Sequence, residues 1–209
     1  VVDVETSFVT GANGKSDPSP FDSRNKLVSV GINDEYLFFH HDERSDTGAY
    51  RRVQDILDKT TLLIGHNLKF DLSWMYEVGF TYTGKVYDTM IAEYVLQRGV
   101  RKALSLKECC IRRNLSRKSD ATEDYMKQGI SFEMIPSKTV EEYGRQDITV
   151  TRELYHSQVD DFKKVTGMNL ISTVKMMNEF LMVLTKMEMN GIEINLSDLN
   201  DVEMKFKQE

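Results

Sequence analysis

The chain predicts an α/β fold: a mixed sheet that begins as an antiparallel meander and continues in parallel strands, flanked by helices and followed by a C-terminal helical extension. Three observations predict it. β-Branched and apolar residues run through 1–5, 27–32 and 35–39 between Gly, Asn, Asp and Pro, the pattern of three short strands. From residue 48 onward helical and extended patterns alternate, which calls for a sheet with crossover helices. Beyond residue 139 the pattern is helical.

Each element has a local reason. The link "TGANGKSDPSPFDSRN" between the first two strands is long and rich in turn formers, so a mobile surface loop is expected there. A helix follows around 48–58, then a strand around 61–65 and a helix around 68–78. Another spans about 88–97, with Asp88 as its natural N-cap. Residues 104–115 suit a short helix and 116–137 an irregular stretch. Helices near 139–164 and 168–189 complete the chain, with no internal repeat. The methionines of the last one (Met168, Met176, Met177, Met182, Met187, Met189) suit core packing or a docking face far better than a cofactor site.

Composition excludes several classes. With 209 residues, 40% hydrophobic and 29% charged, the chain can bury a core of one domain and part of a second. Its two cysteines, Cys109 and Cys110, are adjacent, so no disulfide framework exists and a reducing, intracellular compartment is expected. No apolar run reaches the roughly 20 residues of a membrane span, and the N-terminus has no signal-peptide pattern. The chain opens "VVDVETS" in a strand pattern and stops at "MKFKQE" in a helical one, and reads as a fragment of something longer. Net charge is −6, which argues against general affinity for nucleic acid. Yet Arg98, Arg101, Lys102, Lys107, Arg112, Arg113, Arg117 and Lys118 face a single acid, Glu108, between 98 and 118: eight positive charges less one, a local +7. That stretch is either a solvated helix face or a contact for a polyanion.

Three polar pairs carry the chemistry. Asp3 and Glu5, two apart on a strand, point to one face of the sheet. Asn67 and Asp71 are four apart where a helix opens after a later strand, and Tyr143 and Asp147 repeat that spacing on the helix near 139–164. Any one pair is accounted for as a cap or a pair of surface neighbours. All three can converge at one edge of an α/β sheet, and four carboxylates there need cations: two unit charges about 4 Å apart repel by roughly 4 kcal/mol at an effective dielectric near 20. With no Cys or His ligand close by, hard divalent ions, Mg²⁺ or Mn²⁺, suit the set. Two such ions about 4 Å apart serve phosphodiester cleavage.

The order and spacing of these motifs resembles the proofreading 3′→5′ exonuclease domain of family A DNA polymerases, in the DEDD exonuclease superfamily. "VVDVETS", "GHNLKFD" and "YGRQDITVTREL" stand for the three superfamily motifs, and "YDTMIAEYVL" and "LSLKECC" between them are similar as well. Glu142 stands where the other branch of the superfamily has His, so Tyr143 marks the tyrosine branch. The resemblance implies a ribonuclease H-like fold, an exonuclease domain over 1–158, and a helical connection over 159–209, where "KMEMNGIEIN" leads into a truncated polymerase domain.

It also implies roles. Asp3, Glu5 and Asp147 would hold one of two divalent ions, and Asp3 with Asp71 the other. Tyr143, with Glu5, would aim a water at the last phosphodiester of a single-stranded DNA 3′ end. Asn67 would position the terminal nucleotide, with Lys69 and Phe70 beside it; Phe70 replaces a tyrosine common in the family. Phe8 or Val9 would wedge the terminal bases apart, and Arg101 and Lys102 would meet the incoming strand. His66, His40 and His41 are read as structural or exposed. The expected partner is a polymerase domain in cis, in a monomer without membrane attachment. The expected compartment is the cytoplasm of a bacterium or phage-infected cell, or an organelle. The alternatives are a stand-alone, ribonuclease D-like RNA-trimming exonuclease and a catalytically silent nucleic-acid-binding domain.

Overall fold

The structure, a computed structural model, describes residues 1–10, 15–39, 47–117, 119–165 and 169–208. His40, His41, Lys118 and Met168 lie outside the described residues.

Strand β1 (Val2–Thr6) is followed by a two-stranded ribbon, β2 (Val9–Thr10) with β3 (Ser16–Asp17), then β4 (Leu27–Ile32) and β5 (Glu35–Phe38). β4 runs antiparallel between β1 and β5, with Asp3 opposite Gly31, Glu5 opposite Ser29, Gly31 opposite Tyr36 and Ser29 opposite Phe38. Alternation then does its work: Val2 and Val4 enter the main core with Leu27, Val30 and Ile32, and Asp3 and Glu5 are turned to the other face.

Helix α1 (Thr47–Lys59), strand β6 (Leu62–Gly65), helix α2 (Leu68–Glu77), strand β7 (Lys85–Asp88) and helix α3 (Thr89–Leu96) form the crossover part. β6 and β7 are parallel, with Gly65 opposite Asp88, and β6 lies against β1. The mixed α/β architecture is as the sequence predicts. β7 is not predicted: it is four residues long and passes directly into α3, so the helical pattern starting at Asp88 masks it.

Helices α4 (Leu106–Arg112) and α5 (Glu123–Lys127) and a 3₁₀ turn at Phe132–Met134 precede the long α6 (Ser137–Lys164). The stretch 116–137, expected to be irregular, therefore holds a helix and a 3₁₀ turn. On α6 the buried positions Val140, Gly144, Asp147, Thr151, Leu154 and Gln158 alternate steps of four and three, one face of a helix laid across β1, β4 and β6. Helix α7 (Leu170–Asn190) buries Val174, Asn178, Leu181 and Thr185, and α8 (Leu196–Gln208) is exposed over its described side chains.

One expectation is corrected. The link 10–25 is not a free loop over its described part, residues 15–25. Trp74 donates to the Pro18 carbonyl at 3.0 Å, and Asn25 donates to those of Asp17 and Ser19 at 2.8 and 2.9 Å. Of the methionine stripe, Met176 and Met187 are 61% and 60% exposed, while Met177 and Met182 pack at the core margin. The core face of α7 is made by other residues because Val174, Asn178, Leu181 and Thr185 fall on the arc that meets α2, α3 and β7.

Candidate active site

Three of the four expected carboxylates meet. Asp3 and Glu5 from β1 and Asp147 from α6 each present an oxygen within 4.8 Å of the others, Glu5 and Asp147 buried and Asp3 half-buried. Asp71, buried one turn into α2, accepts the Val4 amide N–H at 3.0 Å and so lies beside the same strand. Burial pushes its pKa well up, the Asp3 charge pushes it further, and the Val4 hydrogen bond opposes both.

Tyr143 stands beside Asp147, and its hydroxyl hydrogen-bonds that carboxylate. Burial, then the charges of Asp147, Glu5 and Asp3, raise its pKa, so the phenol keeps its proton. Its ring packs on Phe132, centroids 5.8 Å apart. Tyr36 also faces the cluster: burial and then the charge of Glu5 raise its pKa, against a hydrogen bond with Ser29.

Asn67 occupies the N-cap position of α2 in the left-handed region, φ 61° and ψ 45°, and makes no side-chain cap bond. Asp88 caps α2 instead: its carboxylate accepts Asn67 N–H at 3.1 Å and Leu68 N–H at 2.9 Å, besides Met90 and Ile91 of its own helix. His66 is structural, bonded through Nδ1 to the Thr89 hydroxyl and through Nε2 to the Leu104 carbonyl, both at 2.9 Å.

Other expected substrate residues sit as follows. Lys69 is ion-paired with Glu188 of α7 at 2.6 Å, which ties α2 to α7. Phe70 packs partly into the main core. Phe8 is half-buried, its N–H on the Ser131 hydroxyl at 3.2 Å, and Val9 lies on the ribbon. Arg101 and Lys102 are exposed, and among the described residues neither forms an ion pair. Much of the basic stretch is spoken for: Lys107 pairs with Asp120 and Glu123, and Arg112 and Arg113 both pair with Glu93, which is 3% exposed.

Sequence reasoning missed Tyr36, the double cap by Asp88 and the Glu93 cluster. One signal was present. Gly144, inside the helix of "YGRQD", costs about 1 kcal/mol relative to Ala, and that cost implies a close approach.

Comparison with known proteins identifies the family and the fold. A family described as 3′-5′ exonuclease, of the DNA polymerase A type, matches residues 17–160. The match takes in Asp71, Tyr143 and Asp147 and starts after Asp3 and Glu5, which join the set through the fold. DNA polymerase I of Borreliella burgdorferi is 24% identical over 145 residues, 69% of this chain and 15% of the polymerase. DNA polymerase I of Aquifex aeolicus is 25% identical over 195 residues, 85% of this chain and 32% of the polymerase. The chain thus spans a third or less of those relatives. A nuclease solved in its apo form superposes with a TM-score of 0.67 at 19% identity, and Brucella melitensis NrnC bound to pGG with 0.64 at 20%; each comparison covers 91% of this chain and 84% of the other. NrnC with bound Mg²⁺ gives 0.60 at 20% identity, over the same shares. These likenesses are of fold, the ribonuclease H-like one. Among the described residues no helix is long and apolar enough to cross a membrane.

Proposed function

The chain belongs to this 3′-5′ exonuclease family, and from that premise we propose that it removes nucleotides one at a time from the 3′ end of single-stranded DNA, with two divalent metal ions, as the proofreading part of a DNA polymerase. The observation that carries the reading is the meeting of Asp3, Glu5 and Asp147 within 4.8 Å on two elements far apart in the chain. Such a cluster is costly without cations, and its donors are all hard oxygens, which fits Mg²⁺ or Mn²⁺.

Asp3, Glu5 and Asp147 would hold one ion, and Asp3 with Asp71 the other. When bound, such a pair supplies a nucleophilic water near neutral pH and stabilises charge on the departing 3′ oxygen. The chain's own residues do the rest. Tyr143, protonated and donating to Asp147, has oxygen lone pairs with which to orient the water, and Glu5 accepts from it as well. Asn67, spared from capping, offers its amide to the terminal nucleotide, and Phe8 or Val9 packs against its base. Arg101 and Lys102 supply charge along the strand. The water oxygen bonds to phosphorus, the bond to the 3′ oxygen breaks, and a nucleoside 5′-monophosphate leaves.

The division into an exonuclease domain over 1–158 and a connection over 159–209 belongs to the same proposal. α8 exposes Leu199, Val202 and Phe206, apolar surface suited to a polymerase domain in cis. A second reading, a stand-alone nuclease that trims RNA, has its own support: this chain covers 84% of nucleases of comparable size, one of them described with pGG bound. Labelled single-stranded DNA and RNA of matched sequence, with Mg²⁺ and with chelator, decide between them. Metal-dependent release of mononucleotides from the DNA 3′ end is expected. Preference for RNA would install the second reading, and no metal-dependent hydrolysis of either would remove both.

A further inference from the structure

The register of the three-stranded sheet places two rows of side chains on the face that carries the carboxylates: Asp3, Gly31 and Tyr36 in one, Glu5, Ser29 and Phe38 in the next. In the first row the middle position has no side chain. A Cβ on Gly31 would fall 3.1 Å from Tyr36 Cδ2 and Cε2 and would run into Ile148 of α6. The space is shared by Ile148 of α6, whose Cδ1 is the nearest atom, and the edge of the Tyr36 ring, which lies over the backbone of β4 and under α6.

The helix makes the complementary concession. A Cβ on Gly144 would fall 2.8 Å from Tyr36 Cζ and closer still to its hydroxyl and Cε2. α6 therefore rests on the ring at the residue next to Tyr143 and one turn before Asp147. The hydroxyl is tethered on both sides, 2.9 Å from the Ser29 hydroxyl and donating to the Val140 carbonyl at 3.3 Å. Arg145 of the same helix stands over the ring, 5.8 Å from its centroid. Ring and hydroxyl thus connect β4, β5 and α6 at the point where α6 hands Tyr143 and Asp147 to the carboxylates of β1.

We propose that Tyr36 is a positioning residue of the carboxylate centre: its ring, seated between Gly31 and Gly144, and its hydroxyl, shared by Ser29 and the Val140 carbonyl, set the height of α6 above the sheet and hence the separation of Asp147 from Asp3 and Glu5. This rests on the reading of those carboxylates as metal ligands. A helix in close contact with a ring cannot settle without moving both. A small hard ion such as Mg²⁺ demands near-ideal ligand geometry, so the spacing of its carboxylates matters.

The test measures Mn²⁺ binding to the folded protein by titration calorimetry, with thermal denaturation alongside, for the unsubstituted protein, Tyr36→Phe, Ser29→Ala and their combination. Tyr82→Phe is the control: it loses a buried hydroxyl of the same kind, bonded to the Lys85 carbonyl at 2.7 Å, at the start of β7. A net hydrogen bond corresponds to about a two- to ten-fold change in an equilibrium constant. Tyr36→Phe is expected to weaken Mn²⁺ binding by about that factor and Tyr82→Phe not at all, even where both lower the melting temperature equally. The combined variant is expected to bind no more weakly than Tyr36→Phe, because the two residues share one hydrogen bond. Should Tyr36→Phe fail to fold, Ser29→Ala alone must show the loss. Unchanged Mn²⁺ affinity in the folded variants, or equal loss in the control, overturns the positioning role and leaves the metal site standing. No Mn²⁺ binding by the unsubstituted protein overturns the metal site and the positioning role together.

Discussion

The carboxylate of Asp88, at the end of β7, accepts the backbone N–H of Asn67 at 3.1 Å, so α2 is capped from another strand and the residue at its own N-cap position makes no cap bond. A helix N-terminus leaves N–H groups that something must satisfy. Here Asp88 satisfies those of two helices, and Asn67 keeps a left-handed backbone and an exposed amide.

Asn67→Gly is therefore expected to raise stability, by up to about 1 kcal/mol, because glycine adopts the left-handed region without a Cβ penalty. Metal binding should stay as it is, while KM for single-stranded DNA rises. Calorimetric unfolding and steady-state kinetics measure the two sides; a variant with unchanged KM would leave Asn67 as a turn residue only.

Asp3→Ala and Asp147→Ala should abolish turnover with little loss of folding, since removing a crowded carboxylate relieves repulsion in the metal-free protein. Full activity in either, measured on labelled single-stranded DNA, would end the metal-site reading. Tyr143→Phe should fold and bind metal but cleave more slowly. A positioned proton-handling group contributes about 10²- to 10⁴-fold, and an activated water should bring the loss to the lower end or below. Single-turnover rates are the measure.

Asp71→Asn makes a pH prediction in the metal-free protein. Burial, foremost, holds the folded-state pKa of Asp71 above its ordinary 3.8, so the folded protein keeps the proton where the unfolded chain has lost it. That contribution is full below pH 3.8 and is lost as pH rises through the folded value. The variant has no charge to bury. Its advantage over the unsubstituted protein should be small below pH 3.8 and grow above it. Denaturant titrations across that range, in chelator, would show a flat difference if Asp71 were solvated.

Glu93 predicts the opposite slope. Burial favours its neutral form, but the Gln158 amide, Arg113 and Arg112 outweigh burial and hold its pKa below the ordinary 4.5. Its stabilisation is present above pH 4.5 and is lost as pH falls through the folded value. Glu93→Gln should destabilise the protein at neutral pH, because the two half-buried guanidinium groups lose their shared carboxylate while Arg113 keeps Asp161 and Arg112 keeps the Ala103 carbonyl, and should cost less in acid. Urea unfolding at the two pH extremes measures the difference.

Neutralising Arg101 and Lys102 together should weaken DNA binding alike on all sequences and flatten the slope of log affinity against log salt by about 1.4, at about 0.7 per phosphate contact. Equilibrium binding at several salt concentrations is the measurement. An unchanged slope would make this stretch a solvated surface.

What the chain determined by itself was whatever depends on near neighbours. Asp3 and Glu5 share a face because strands alternate, Tyr143 and Asp147 because helices turn in about four residues, and the strand and helix runs are legible from the same periods. Tertiary structure decided what depends on register and on the seating of one element on another. Tyr36 reaches the carboxylates only because Gly31 lies opposite it and Gly144 above it, and neither fact is local. Asp88 is legible as a cap for α3, but its hold on α2 arises from the pairing of β6 with β7, a strand hidden by the helix that follows. The basic stretch reads as one patch along the chain. Folding divides it, because Glu93 from α3 takes Arg112 and Arg113 while Arg101 and Lys102 stay at the surface. Charge is a property of residues; the partner of a charge is a property of the fold.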